Sequence, residues 1–115
     1  MITEKYRTLS DYDKKDRALI ENGYKDFFKN KNYFNLIKDT MNIIEYVYDT
    51  YRIFLCNNAD IIISNNDIVQ DALFSCQIAD IKVDNKNNLL AFVSSDFDLI
   101  LIDFKAKKTY NSKEF

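Results

Sequence analysis

Apolar and polar positions follow two different rhythms along this chain, and the change falls near residue 58. After Ser10-Asp11-Tyr12-Asp13, a weak helix-capping signal, Leu19, Ile20, Tyr24, Phe27 and Phe28 recur at helical spacing. Lys14, Lys15, Arg17, Glu21, Lys25 and Asp26 fall mostly on other faces. This pattern predicts a helix over 11–29. Gly23 lies inside it at a cost of roughly 1 kcal/mol relative to alanine, which marks either a close-packed neighbour or a break. Asn32 is placed to cap a second helix. From Tyr33 to about Cys56, Ile37, Met41, Ile44, Tyr48, Tyr51 and Leu55 repeat in steps of 4-3-4-3-4, and Leu36, Ile43, Val47 and Phe54 form a parallel row. The polar row Lys38, Asn42, Glu45, Asp49, Arg52 keeps the same step, so the segment reads as an amphipathic helix. The density of β-branched and aromatic residues from Ile43 to Phe54 leaves Tyr51–Cys56 open between helix and strand.

Beyond Asn57-Asn58 the runs shorten. Asp60–Ser64 reads as a strand, and Ile68, Val69, Ala72 and Leu73 fit a two-turn helix. Ile78–Asp84, Leu89–Ser94 and Leu99–Phe104 read as three strands separated by Asp/Asn/Ser turns, the signature of an antiparallel meander. The expected fold is therefore α+β: two N-terminal helices packed on one face of a C-terminal antiparallel sheet, whose other face is solvated or meets a partner. With 115 residues, 47% of them hydrophobic, the chain reads as a single domain, 1–115, with a tail fraying from about 111.

Composition narrows the chemistry. There is no histidine, proline or tryptophan, and Gly23 is the only glycine. A Ser/His/Asp triad, an imidazole zinc site and a glycine-built phosphate loop are all excluded. The loop Asp84-Asn85-Lys86-Asn87-Asn88 has Leu89 and Ser95 where a calcium loop needs glycine and glutamate, so it reads as a hairpin turn. Carboxylate catalysis through Asp96 and Asp98, or Asp80 and Asp103, lacks a glycine-built cleft. The expectation is a chain with no catalytic residues, no metal and no cofactor. Cys56 and Cys76 read as reduced, buried thiols. No apolar leader or membrane-length run is visible, so the expected location is cytoplasmic.

Charge adds the one functional signal. Residues 1–58 carry ten basic and nine acidic side chains, and residues 59–104 carry eight aspartates against Lys82 and Lys86. Residues 105–115 then carry four lysines and one glutamate. The sheet half reads as an acidic patch that would steer a basic partner and repel nucleic acid, although aspartates in turns also serve as local caps. Tyr46, beside Glu45 and Asp49 on the flank of the polar row, has the composition of a binding anchor. The candidate partner-binding residues are accordingly Asp80, Asp84, Asp96, Phe97, Asp98, Glu45, Tyr46 and Asp49.

The profile points to a small bacterial immunity protein that neutralises a cognate, basic, nuclease-type toxin by steric and electrostatic blocking. The alternatives are a phage-type inhibitor that mimics DNA on a host enzyme, and a structural homodimer that buries its free sheet face. Direct binding to nucleic acid or membrane is not expected.

Overall fold

Asn42–Tyr48 (β2) and Tyr51–Cys56 (β3) form a hairpin, not a helix, and that hairpin sets the architecture. The computed structural model describes residues 1–28, 31–56, 61–66, 68–69 and 77–112. Thr3–Thr8 (β1), β2, β3 and Ile61–Ser64 (β4) make one antiparallel sheet in that order. Ile78–Asp84 (β5), Leu89–Ser94 (β6), Leu99–Asp103 (β7) and Lys108–Asn111 (β8) make a second, a simple meander. Lys14–Phe28 (α1) and Lys31–Ile37 (α2) lie between β1 and β2 in the chain.

Three layers result. One face of the first sheet carries Ile43, Phe54, Cys56, Ile61 and Ile63, which are buried with Tyr12, Ile20, Tyr24 and Phe34 from the helical segment. The opposite face carries Tyr46, Ile53, Leu55 and Ile62, buried against Leu90, Phe92, Ile100 and Ile102 of the second sheet. Aromatic contacts stitch the sheets together: Tyr46 meets Phe92 edge-to-face at 5.9 Å, and Tyr48 stacks on Phe104 at 5.3 Å. Gly23 faces Ile63, so the absence of a side chain there lets α1 sit directly on β4.

This overturns the expected fold of two helices on one face of one sheet. The physical reason lies in β2 and β3. A strand sandwiched between two apolar layers is hydrophobic on both faces, so the period-two alternation disappears and the residues read as a continuous apolar run. The 4-3 rows through Met41–Leu55 are a by-product of that density. The break is supplied by Asp49-Thr50, a two-residue turn in which Asp49 takes a left-handed φ of 53°, as Asp tolerates in such hairpins. The N-terminal strand β1, with its polar composition, was not anticipated at all. The strands expected at 60–64, 78–84, 89–94 and 99–104 are present with bounds shifted by at most a residue. Most of the short helix expected over Ile68–Leu73 lies outside the described residues.

Candidate protein interface

Two polar arrangements stand out, one inside the molecule and one on its surface. The internal one joins α1 to the first sheet. Glu45 is only 3% exposed. Its Oε1 accepts a hydrogen bond from the Tyr12 hydroxyl at 3.0 Å and lies 3.4 Å from Arg7 Nε, and its Oε2 accepts from Arg52 Nε at 3.1 Å. Arg52 then donates from both terminal nitrogens to the two carboxylate oxygens of Asp16 on α1. These bonds hold the Asp16 carboxyl below its ordinary range, chiefly through the Arg52 hydrogen bonds. Burial, reinforced by the Glu45 charge, pushes the Tyr12 phenol up. The Arg52 guanidinium also lies 4.9 Å from the centre of the Phe54 ring. Every oxygen of Glu45 is engaged, so this network positions a helix on a sheet. Burial pushes the Cys56 thiol up to about 12, which leaves it inert. Among the described residues no cluster of His, Cys, Asp or Glu is placed to hold a metal ion.

The surface arrangement belongs to the second sheet. Its inner face takes Leu90, Phe92, Ile100 and Ile102. By strand alternation its outer face takes Leu89, Ala91 and Val93 of β6, Leu99 and Leu101 of β7, and Tyr110 of β8. All six are half-buried or exposed, and no described element covers them. At one end of this face the β6–β7 turn raises Phe97, 88% exposed, between Asp96 and Asp98. The turn is built from Ser94. Its N–H donates to the Asp98 carbonyl, its carbonyl accepts from Phe97 N–H, and its hydroxyl accepts from the N–H groups of Asp96 and Asp98. Phe97 closes the turn at φ 65°, the left-handed position of a three-residue hairpin loop that normally favours glycine.

The residues singled out from sequence separate cleanly. Asp96, Phe97 and Asp98 form the turn, and Asp80 lies on the outer face at the same end, opposite Val93. Asp84 lies at the far end. Its carboxylate accepts from Lys86 N–H, Asn87 N–H and the Asn87 side chain, which lower its pKa, with the Asn87 side chain contributing most. It is a turn cap, as the bland reading of turn aspartates holds. Asp49 is exposed in the β2–β3 turn of the other sheet. Glu45 and Tyr46, expected on a polar helix flank, are corrected: both are buried, facing opposite sides of β2. Tyr46 is a core residue at 1% exposure.

The acidic patch is corrected as well. Residues 105–111, for which the sequence suggested no strand, form a turn and β8 of the same sheet. Lys105, Lys107 and Lys108 therefore join Lys82 and Lys86 against five aspartates, Asp80, Asp84, Asp96, Asp98 and Asp103. The sheet is charge-balanced but polarised. Asp80, Asp96 and Asp98 mark one end. At the other end Asp84 and Asp103 cap their turns, among four of the five lysines. Asp80 and Asp103, one of the two carboxylate pairs considered for catalysis, lie at opposite ends of the sheet. Sequence reasoning missed the apolar outer face, though the alternation in Leu89–Ser94 and Leu99–Asp103 contained it.

What the geometry defines is a helix–sheet–sheet sandwich with one polarised, partly apolar sheet face open to solvent. No described helix is long and apolar enough to cross a membrane. Comparison with protein-family models, curated proteins and solved structures finds no match for the chain.

Proposed function

We propose that this chain is a cytosolic protein-binding inhibitor that acts by covering its partner, in the manner of a bacterial immunity protein that blocks a cognate basic toxin. Phe97 carries this reading. An exposed aromatic held at a left-handed backbone position serves no packing role of its own, and residues kept in such strained conformations cluster at functional sites. Asp96 and Asp98 flank it in the turn, Asp80 lies at the same end of the sheet, and this negative charge favours a basic contact surface. The apolar outer face beside it offers area for desolvation. The lysines at the far end of the sheet weaken the reading as a DNA mimic, which calls for an extended negative surface.

Co-expression of the chain with its native gene neighbours, followed by native mass spectrometry at low and high salt, tests the proposal. The expected result is a stoichiometric complex with a basic protein that loosens as salt rises and is lost in Phe97→Ala. A partner retained at full affinity by Phe97→Ala together with Asp96→Lys would remove this face from consideration.

A further inference from the structure

The outer edge of β5 is unpaired among the described residues. Phe104 N–H donates to the Asn88 carbonyl and Ser94 N–H to the Asp98 carbonyl. The even-numbered residues of β6 therefore turn their backbone groups toward β7, and Leu89, Ala91 and Val93 turn theirs toward β5. Their partners Asp80, Lys82 and Asp84 are thus used by the ladder, while the N–H and C=O groups of Ile81 and Val83 face outward. Among the described residues no strand pairs with that side. The Ile81 N–H is met there by the carboxylate of its own neighbour, Asp80 Oδ1, at 2.9 Å. Asp80 and Lys82 flank Ile81 on the outer face, and both are well exposed. Val83, 38% exposed, and the half-buried Ile81 lie on the inner face at the rim of the core.

We propose that β5 is a self-pairing edge, through which a second copy of this chain adds antiparallel with Ile81 on the two-fold axis, giving one continuous eight-stranded sheet. In that register the two Ile81 residues exchange backbone hydrogen bonds. Asp80 of each copy stands directly opposite Lys82 of the other, at the non-hydrogen-bonded positions where cross-strand side chains lie closest. The Asp80 carboxylate leaves the Ile81 N–H for the lysine of the other copy as that N–H finds a carbonyl. Ile81 packs on its own copy across the axis, and Val83 gains a neighbour beyond the rim. The charges select this register. Centring on Lys82 sets lysine on lysine and Asp80 on Asp84. Centring on Val83 runs Ile81 past the strand end to Asn85 and competes for a carboxylate already committed to the β5–β6 turn. The edge of β1 offers nothing comparable, since centring it on Glu4, Lys5 or Tyr6 opposes like charges each time. The edge strands β4 and β8 are only four residues long. Closed two-fold assembly through one self-complementary patch is the commonest form of oligomer. This inference shares only Asp80 with the proposed inhibitor surface; the Phe97 turn, with Asp96 and Asp98, projects from the end of the sheet and not from the β5 edge, so either reading can fail without the other.

Light scattering on the eluting wild-type chain should give twice the 13.6 kDa of one chain. Asp80→Lys and Lys82→Asp should each halve that mass by opposing like charges. An equimolar mixture of those two variants should restore the doubled mass, as a heterodimer visible in native mass spectra, which also shows that each variant is folded. Ile81→Pro, which removes an outward N–H and leaves the β5–β6 ladder intact, should also be monomeric. A wild-type monomer would overturn the proposal and identify Lys82 and the bulge between Ile78 and Asp80 as guards against edge pairing. A dimer indifferent to both single charge reversals would overturn it equally.

Discussion

Arg52 on β3 grips Asp16 on α1 through two parallel bonds of 3.0 and 2.9 Å, and the same guanidinium holds Glu45 beneath it. One side chain thus ties the helix to the sheet and neutralises a carboxylate that has almost no access to water. Among the described residues, removing it leaves Glu45 with only the more distant Arg7 as a counter-charge. Breaking a buried pair by deleting one partner costs about 3–5 kcal/mol. Arg52→Ala should therefore lower unfolding stability by about 3 kcal/mol in urea titrations, taking the low end because Arg52 remains partly exposed. Arg52→Lys should recover only part of this, since an ammonium cannot make the two-pronged contact to Asp16 while also serving Glu45. Glu45→Gln with Arg52→Leu should cost less than the two single changes combined.

The same pair gives a pH dependence of definite sign. The Arg52 hydrogen bonds hold the Asp16 carboxyl below the ordinary carboxylate range in the folded chain. A group depressed on folding contributes stability that is present above its unfolded pKa and is lost as pH falls through the folded one. Urea midpoints measured from neutral pH down into the acid range should fall for the wild type. Asp16→Asn should start lower at neutral pH and fall less steeply, so the two curves converge below the ordinary carboxylate range. Parallel curves would show that the Arg52 contact does not discriminate between the charged and neutral acid.

Gly23 sets a steric condition on the helix–sheet contact. A Cβ added there would stand 2.5 Å from Ile63 Cδ1 and 2.8 Å from Ile63 Cγ1. Alanine gains roughly 1 kcal/mol of helix propensity, whereas overpacking a well-filled contact costs about 1–3 kcal/mol. Gly23→Ala should be destabilising by about 1 kcal/mol in thermal or urea unfolding. Ile63→Val removes the nearest atom, so it should cost less in the Gly23→Ala background than in the wild type. Strict additivity would mean that α1 shifts away from β4 at no cost.

Strands β5, β6 and β7 of the second sheet were legible because one of its faces is open. Leu89–Ser94 and Leu99–Asp103 alternate between core and solvent, and Asp/Asn-rich turns punctuate them, so both period and boundary were written in the sequence. In the first sheet β4 was legible, but β3 stayed open between helix and strand and β2 read as helix, because both are covered on both faces and local pattern cannot distinguish a doubly buried strand from a buried helix. That single ambiguity displaced Glu45 and Tyr46 from the core to an imagined surface. The acidic patch failed for a different reason. Lys105, Lys107 and Lys108 return to the sheet only through the pairing of β8 with β7, a relationship that charge counting along the chain does not contain. Phe97 was correctly placed in a turn, but its left-handed backbone was visible only in the fold.

Tyr46 and Phe97, the two aromatics read as anchors, should respond oppositely to truncation. Tyr46 is enclosed between β2 and the second sheet, in edge contact with Phe92. Tyr46→Ala should cost about 3–5 kcal/mol, the range for emptying a buried aromatic site. Phe97 touches solvent on nearly all of its surface and adopts a backbone conformation that costs an L-residue roughly 1–2 kcal/mol, a penalty that glycine does not incur. Phe97→Gly should therefore raise the stability of the isolated chain by about 1 kcal/mol, visible as a higher urea midpoint with an unchanged slope. A chain that becomes more stable on losing an aromatic this exposed is retaining that residue for something other than folding. If the midpoint instead drops, Phe97 packs against the turn and the outer face, and the contact role assigned to it must be given up.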